Sequence, residues 1–167
     1  NTKALHLDTS SAAVTDASGW WASTTPTSTV FTTGHGSAYR TGGGGVTEDF
    51  IAYCFAEVDG YSKFGSYTGN GNASGTFVYT GFRPAFIIYK KTASENWHMK
   101  DNKTAPFNVM TQVIDPNRNG AEVADANTNL DFLSNGFKLR SSHGTQNEDN
   151  VVYIYMAFSE QPFKYAN

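Results

Sequence analysis

The sequence predicts an all-β protein built as a two-sheet antiparallel sandwich, and three observations carry that prediction. Tyr, Phe, Val and Thr are common while Leu is scarce, so residues that suit a pleated surface outnumber strong helix formers. Short segments alternate between apolar and polar residues. Clusters of Gly, Asn, Asp and Ser punctuate those segments at short intervals. With 167 residues the chain fits one domain, residues 1–167, able to bury a core without staples.

Taken in order, strands are expected near 3–8, 28–33, 49–58, 75–80, 84–91, 95–100, 107–114, 129–133, 136–140 and 151–159. Turns are expected at Gly34 to Gly36, Gly42 to Gly45, Thr68 to Gly71, Asp115 to Gly120 and Ser134 to Gly136. Asn135-Gly136, set between two short apolar runs, is the strongest hairpin signal. Only 120–127 has the composition for a short helix. The single Cys54 excludes an internal disulfide framework, and within Ile51-Ala52-Tyr53-Cys54-Phe55 it is expected to be a buried, inert thiol.

Two stretches read alike. Glu48-Asp49-Phe50-Ile51-Ala52-Tyr53-Cys54-Phe55-Ala56-Glu57 is echoed by Glu148-Asp149-Asn150-Val151-Val152-Tyr153-Ile154-Tyr155-Met156-Ala157-Phe158-Ser159-Glu160. Lys63-Phe64 follows the first and Lys164-Tyr165 the second. The pattern suggests an internal pseudo-repeat with halves of about 1–70 and 71–167. The second half opens with strands that the first lacks, so residue 1 is expected to lie inside a longer protein. Strands supplied from elsewhere would then cover the sheet edge.

Four strings are familiar: Ile51 to Gly71, Phe77 to Phe86, Leu130 to Arg140, and Tyr153 to Asn167. Over most of 28–167 the chain resembles an uncharacterised domain that recurs at the C-terminal end of tail-fibre and other structural proteins of tailed bacteriophages. The resemblance implies a jelly-roll or lectin-like sandwich on a virion surface, in an extracellular particle, as a homotrimer beside other virion proteins. It carries no catalytic residues.

The chemistry legible in the residues is sparse. A net charge of −3 and the absence of any basic cluster beyond Lys90-Lys91 argue against a nucleic-acid partner. No apolar run is long enough for a membrane-spanning helix. Glu57 and Asp59 share one strand face, as acid and nucleophile do in sandwich glucanases, but Tyr61 stands where a third carboxylate belongs. Asp115, Asn117 and Asn119, with Gly120 next, form the first half of a calcium loop, and Ala126 replaces its closing Glu. Calcium is thus the one cofactor with a partial motif. His6, His35, His98 and His143 lack ligand spacing, although His35 and His143 in polar loops would suit a metal shared on a trimer axis. Gly42 to Gly45 lacks the Lys of a phosphate loop.

Aromatic residues near turns are the better candidates. Trp20, Trp21, Tyr39, Tyr61, Tyr67 and Trp97 offer large contact area at low entropic cost, which suits sugar stacking. The expected function is attachment of a phage particle to a host-surface glycan or protein, without catalysis. A fibre-capping or trimerisation module, and a glycan hydrolase, are the alternatives.

Overall fold

The computed structural model describes residues 3–15, 21, 22, 24–34 and 51–160. They fall into two compact units. The first takes in the described residues of 1–6 and 13–55, and holds one short pair, β1 (Lys3–Ala4) with β2 (Val14–Thr15). The second takes in 7–12 and those from 56 onward.

The second unit is all-β. In chain order its strands are β3 (Ser62–Thr68), β4 (Phe77–Tyr79), β5 (Phe86–Lys91), β6 (Trp97–Asp101), β7 (Gln112–Val113), β8 (Val123–Ala124), β9 (Leu130–Leu133), β10 (Gly136–Leu139) and β11 (Val152–Phe158). A four-stranded antiparallel sheet runs β3-β11-β5-β6, and a three-stranded one runs β4-β10-β9. Alternation decides what lies between them. In β11, Tyr153, Tyr155 and Ala157 are buried, while Val152, Ile154, Met156 and Phe158 are not fully covered. Ile87 and Tyr89 of β5 join them from the same sheet. Val78, Leu130, Phe132, Phe137 and Leu139 come from the other. Burying such side chains contributes about 1.5–3 kcal/mol each. At the centre Tyr67 stacks on Tyr153, with ring centroids 5.0 Å apart and planes within 5°. Phe137 meets Tyr67 and Tyr155 edge-on.

The buried phenols are not orphaned. Tyr67 donates to the Gln146 carbonyl at 3.0 Å, and Tyr153 to the Gly144 carbonyl at 2.6 Å. Asn147, fully buried, accepts from the Asn70 amide and donates from Nδ2 to Asn70, Asn72 and Ser141. It fastens the 70–72 loop to the strand end at 141.

The far side of the four-stranded sheet is partly apolar too. Phe64 and Phe86 each pack on Phe158, at 5.7 and 6.2 Å. Lys90 lies there fully buried, its ammonium held by the carbonyls of Ser10, Lys91, Ala93 and Glu95. Residues 7–12 therefore strap this face, helped by the Glu95 amide donating to Ser10.

Lys100 is the second buried ammonium, 2% exposed, donating to the carbonyls of Met110 and Gln112. Burial lowers its pKa from 10.5 to about 8, against the opposing pull of Asp125 and Glu122. Between those values the unfolded chain binds the proton and the folded chain does not, so stability rises with pH across that window by roughly 3 kcal/mol. Tyr67, Tyr89 and Tyr153 act in the opposite sense, since burial raises their pKa values, Tyr153 to about 12. Their contribution is intact below pH 10 and is lost above it. Urea melts should therefore show stability climbing from about pH 8 towards 10 and falling beyond. Lys100→Met should remove most of the climb, and an unchanged profile in that variant would exclude this origin.

Several sequence expectations need correction. The 49–58 strand does not form where it is described: 51–57 carry no strand, and Val58 makes only an isolated bridge to Ser62. Cys54 is accordingly exposed, not buried. Ile51 and Tyr53 are each 81% exposed. The two stretches that matched in sequence thus differ in structure, since 152–158 is a central strand and 51–57 is not. No strand forms at 28–33. The strand actually present is β3, passed over because Ser62, Gly65 and Ser66 dilute its apolar pattern. The expected 120–127 helix is instead β8 followed by a 3-10 turn, Ala126–Thr128, capped by Asp125.

Candidate functional site

Three connections meet at one end of the second unit. The turn before β3 is closed by Tyr61 and Ser62 amides donating to the Val58 carbonyl. It passes through Gly60 at φ 77°, a left-handed conformation that favours glycine. The β4–β5 connection turns through Gly81 at φ 85°, where Thr80 and Gly81 amides both donate to the Asn135 carbonyl. The β9–β10 turn brings Ser134 alongside. Ser159, just past β11, ties these pieces together, its amide donating to the Tyr61 carbonyl at 2.8 Å and its hydroxyl to the Gly60 carbonyl at 3.1 Å.

Between them lies an open cleft of about 560 Å³, lined by Asp59, Gly60, Gly81, Phe82, Arg83, Ser134 and Ser159. Its size is that of a small-molecule site. Phe82 is buried, 6% exposed, and supplies an apolar wall. Asp59, Arg83 and Ser134 bring acceptor, donor and hydroxyl chemistry. Two tyrosines flank the cleft. Tyr61 follows Gly60 and is 36% exposed, with its ring edge-on to Phe158 at 6.1 Å. Tyr79 is 64% exposed, and its hydroxyl lies 3.7 Å from where a side chain on Gly81 would start.

Of the aromatic candidates read from sequence, Tyr61 alone among the described residues adjoins a cleft-lining residue in the chain, Gly60. Tyr67 and Trp97 are 7% and 8% exposed, so both are packing residues and not surface platforms. Tyr67 packs in the core between the sheets, and Trp97 is covered on the other face of β6, opposite Lys90. Trp21 is half-buried, and its indole donates to the Lys3 carbonyl. Trp20 and Tyr39 lie outside the described residues. Arg83, Phe82 and Tyr79 escaped notice because nothing in Gly81-Phe82-Arg83-Pro84 marks more than a strand-entering turn.

The Glu57–Asp59 pair is split in role. Glu57 takes a 2.7 Å hydrogen bond from Lys63 and another from the Phe64 amide, and these hold its carboxyl below the ordinary range.

Asp115, Asn117 and Asn119 lie in the loop after β7, beside the start of β6. Asp115 accepts from His98 Nδ1 at 2.8 Å, from Asn96 at 3.1 Å, and faces Arg118 at 3.5 Å. Burial opposes its ionisation, yet these neighbours hold its pKa below the usual value. The Asn117 carboxamide oxygen accepts the Trp97 amide, and Asn119 is exposed. These bonds tie the loop to the start of β6. His143 accepts from Thr145 within its own turn, and His35 lies outside the described residues. Among the described residues no group of three or more His, Cys, Asp or Glu is placed to hold a metal, and no helix is long and apolar enough to cross a membrane.

A family model described as a domain of unknown function (DUF7483) matches residues 1–162. The chain belongs to the DUF7483 family. No curated protein and no solved structure matches it.

Proposed function

We propose that this DUF7483 chain is a recognition domain on the surface of a phage particle, a tail-fibre or particle-decorating protein, which attaches to a host-surface glycan and catalyses nothing. The observation that carries the reading is the cleft at Gly60 and Gly81, an apolar wall with an acceptor and a cationic donor, beside which stand two exposed tyrosines, Tyr61 next to Gly60 and Tyr79 at the end of β4. Sugars present both hydroxyls and apolar C–H faces, and this combination answers both. Single-site contacts of this kind are weak, and a homotrimer among other virion proteins would multiply them. The exposed Ile51, Tyr53 and Phe55 favour a second, structural role in contacts between copies, as in a fibre cap or trimerisation module.

Tyr61→Ala and Tyr79→Ala should each weaken binding to host-surface glycan by about tenfold, roughly 1.4 kcal/mol. Because both side chains are substantially exposed, the melting temperature should move by no more than about 2–4 °C. Glycan-array binding by wild type and variants is the measurement. Undiminished binding in the double variant would remove the cleft from the attachment reading.

A further inference from the structure

The cleft holds one cation, and among the described residues no carboxylate pairs with it at contact distance. Arg83 lines the cleft, is exposed, and makes no ion pair among the described residues. Glu160 feels its charge, but that carboxylate is already engaged by Lys103 and by Asn102 at 3.3 Å. The backbone under Arg83 is fixed. Phe82 and Pro84 on either side are buried, the Phe82 carbonyl accepts from Thr80 at 2.6 Å, and the Ala85 amide donates to Phe158 at 2.8 Å. A guanidinium is thus presented on an anchored loop, at low ordering cost, beside an apolar wall.

The planar fork of arginine matches a carboxylate bidentately. Asp59, lining the same cleft, would repel a dense anion such as phosphate, while it accepts well from sugar hydroxyls. Together they ask for a ligand with one carboxylate at one end and neutral hydroxyls at the other. We infer that the cleft selects an acidic pyranose, a uronic-acid-type sugar whose carboxylate pairs with Arg83 and whose hydroxyls reach Asp59 and Ser134. This deepens the attachment reading and rests on it.

The test uses uronic-acid oligosaccharides and their carboxyl-reduced counterparts, pairs that differ only in the charged group, titrated into the full chain and followed by calorimetry and amide NMR. The acidic member of a pair should bind about tenfold or more tightly than the neutral one, with an affinity that weakens as salt is raised. Arg83→Gln should erase that preference by bringing the acidic ligand down to the neutral level, and Arg83→Lys should restore part of it. Equal binding of both members to wild type, or an acidic preference that survives Arg83→Gln, overturns the inference. In that case amide shifts at Gly60 and Gly81 would still uphold the attachment reading. If neither member binds, both fall. The reduced oligosaccharide probes the charge without any mutation, so an Arg83 variant that fails to fold leaves the test intact.

Discussion

Phe137→Ala is expected to lower the unfolding free energy by about 3–5 kcal/mol. The ring is fully buried on β10, facing the four-stranded sheet, and it meets Tyr67 at 6.0 Å and Tyr155 at 5.5 Å, both edge-on. Truncation removes the transfer energy and leaves a cavity whose walls cannot close. Its lining tyrosines are pinned, since Tyr67 is held by its bond to Gln146 and by stacking on Tyr153. Chemical denaturation should show a lowered midpoint at nearly constant slope. A loss below about 1 kcal/mol would mean that the sheets are not packed face to face on this residue.

Gly136→Ala should rival it, costing about 2–4 kcal/mol. A methyl group at Gly136 would lie 2.1 Å from the Val78 carbonyl oxygen and 3.0 Å from the Phe77 ring. That carbonyl is backbone on the neighbouring strand, so it cannot swing aside as a side chain would. The β4–β10 pairing, which matches Gly136 with Tyr79 and Phe137 with Val78, must therefore shift or open. The loss should appear in thermal melts and in faster amide exchange along 77–79 and 136–138. An unaffected melt would show that the strands lie further apart than described here.

Gly136 also shows what the sequence could and could not say. The Asn135-Gly136 pair correctly marked a hairpin, but for the wrong reason. Gly136 is not among the positive-φ glycines of the described residues; it is already in strand, opposite Leu133, and Ser134 and Asn135 make the turn. Its demand is for space between strands, which local pattern does not encode. β9 and β10 are legible because Leu130-Asp131-Phe132 and Phe137-Lys138-Leu139 alternate on either side of a short turn, and β5 and β11 because each holds an apolar, aromatic run. The strand predicted at 49–58 had an equally strong pattern and failed, because pattern records a preference for a sheet and not the presence of a partner strand. β3 took the place beside β11 despite Ser62 and Gly65, with pairing from Ser62↔Phe158 to Thr68↔Val152 supplying what propensity did not.

The cleft was less legible still. The residues that line it come from 59–60, 81–83, 134 and 159, four separate stretches that only the sandwich's own connectivity brings together. Tyr67 has the same residue type as Tyr61 but lies in the core between the sheets, and Trp97, opposite Lys90 on the far side of the four-stranded sheet, is covered there. Residue type proposes a role, and the face on which a residue lands disposes of it.

The parallel pair of Tyr67 and Tyr153 gives the protein an optical signature of its own packing. Two phenol rings held 5.0 Å apart and within 5° of parallel couple their electronic transitions, and each is immobilised by a hydroxyl bond to the backbone. The near-ultraviolet dichroism of such a pair depends on ring geometry, whereas the far-ultraviolet band depends on strands. A compact state that keeps its sheets but loses its interlocked interior would be silent in the first and nearly unchanged in the second. Loosening of the interior can thus be read separately from loss of the sheets, without any added probe.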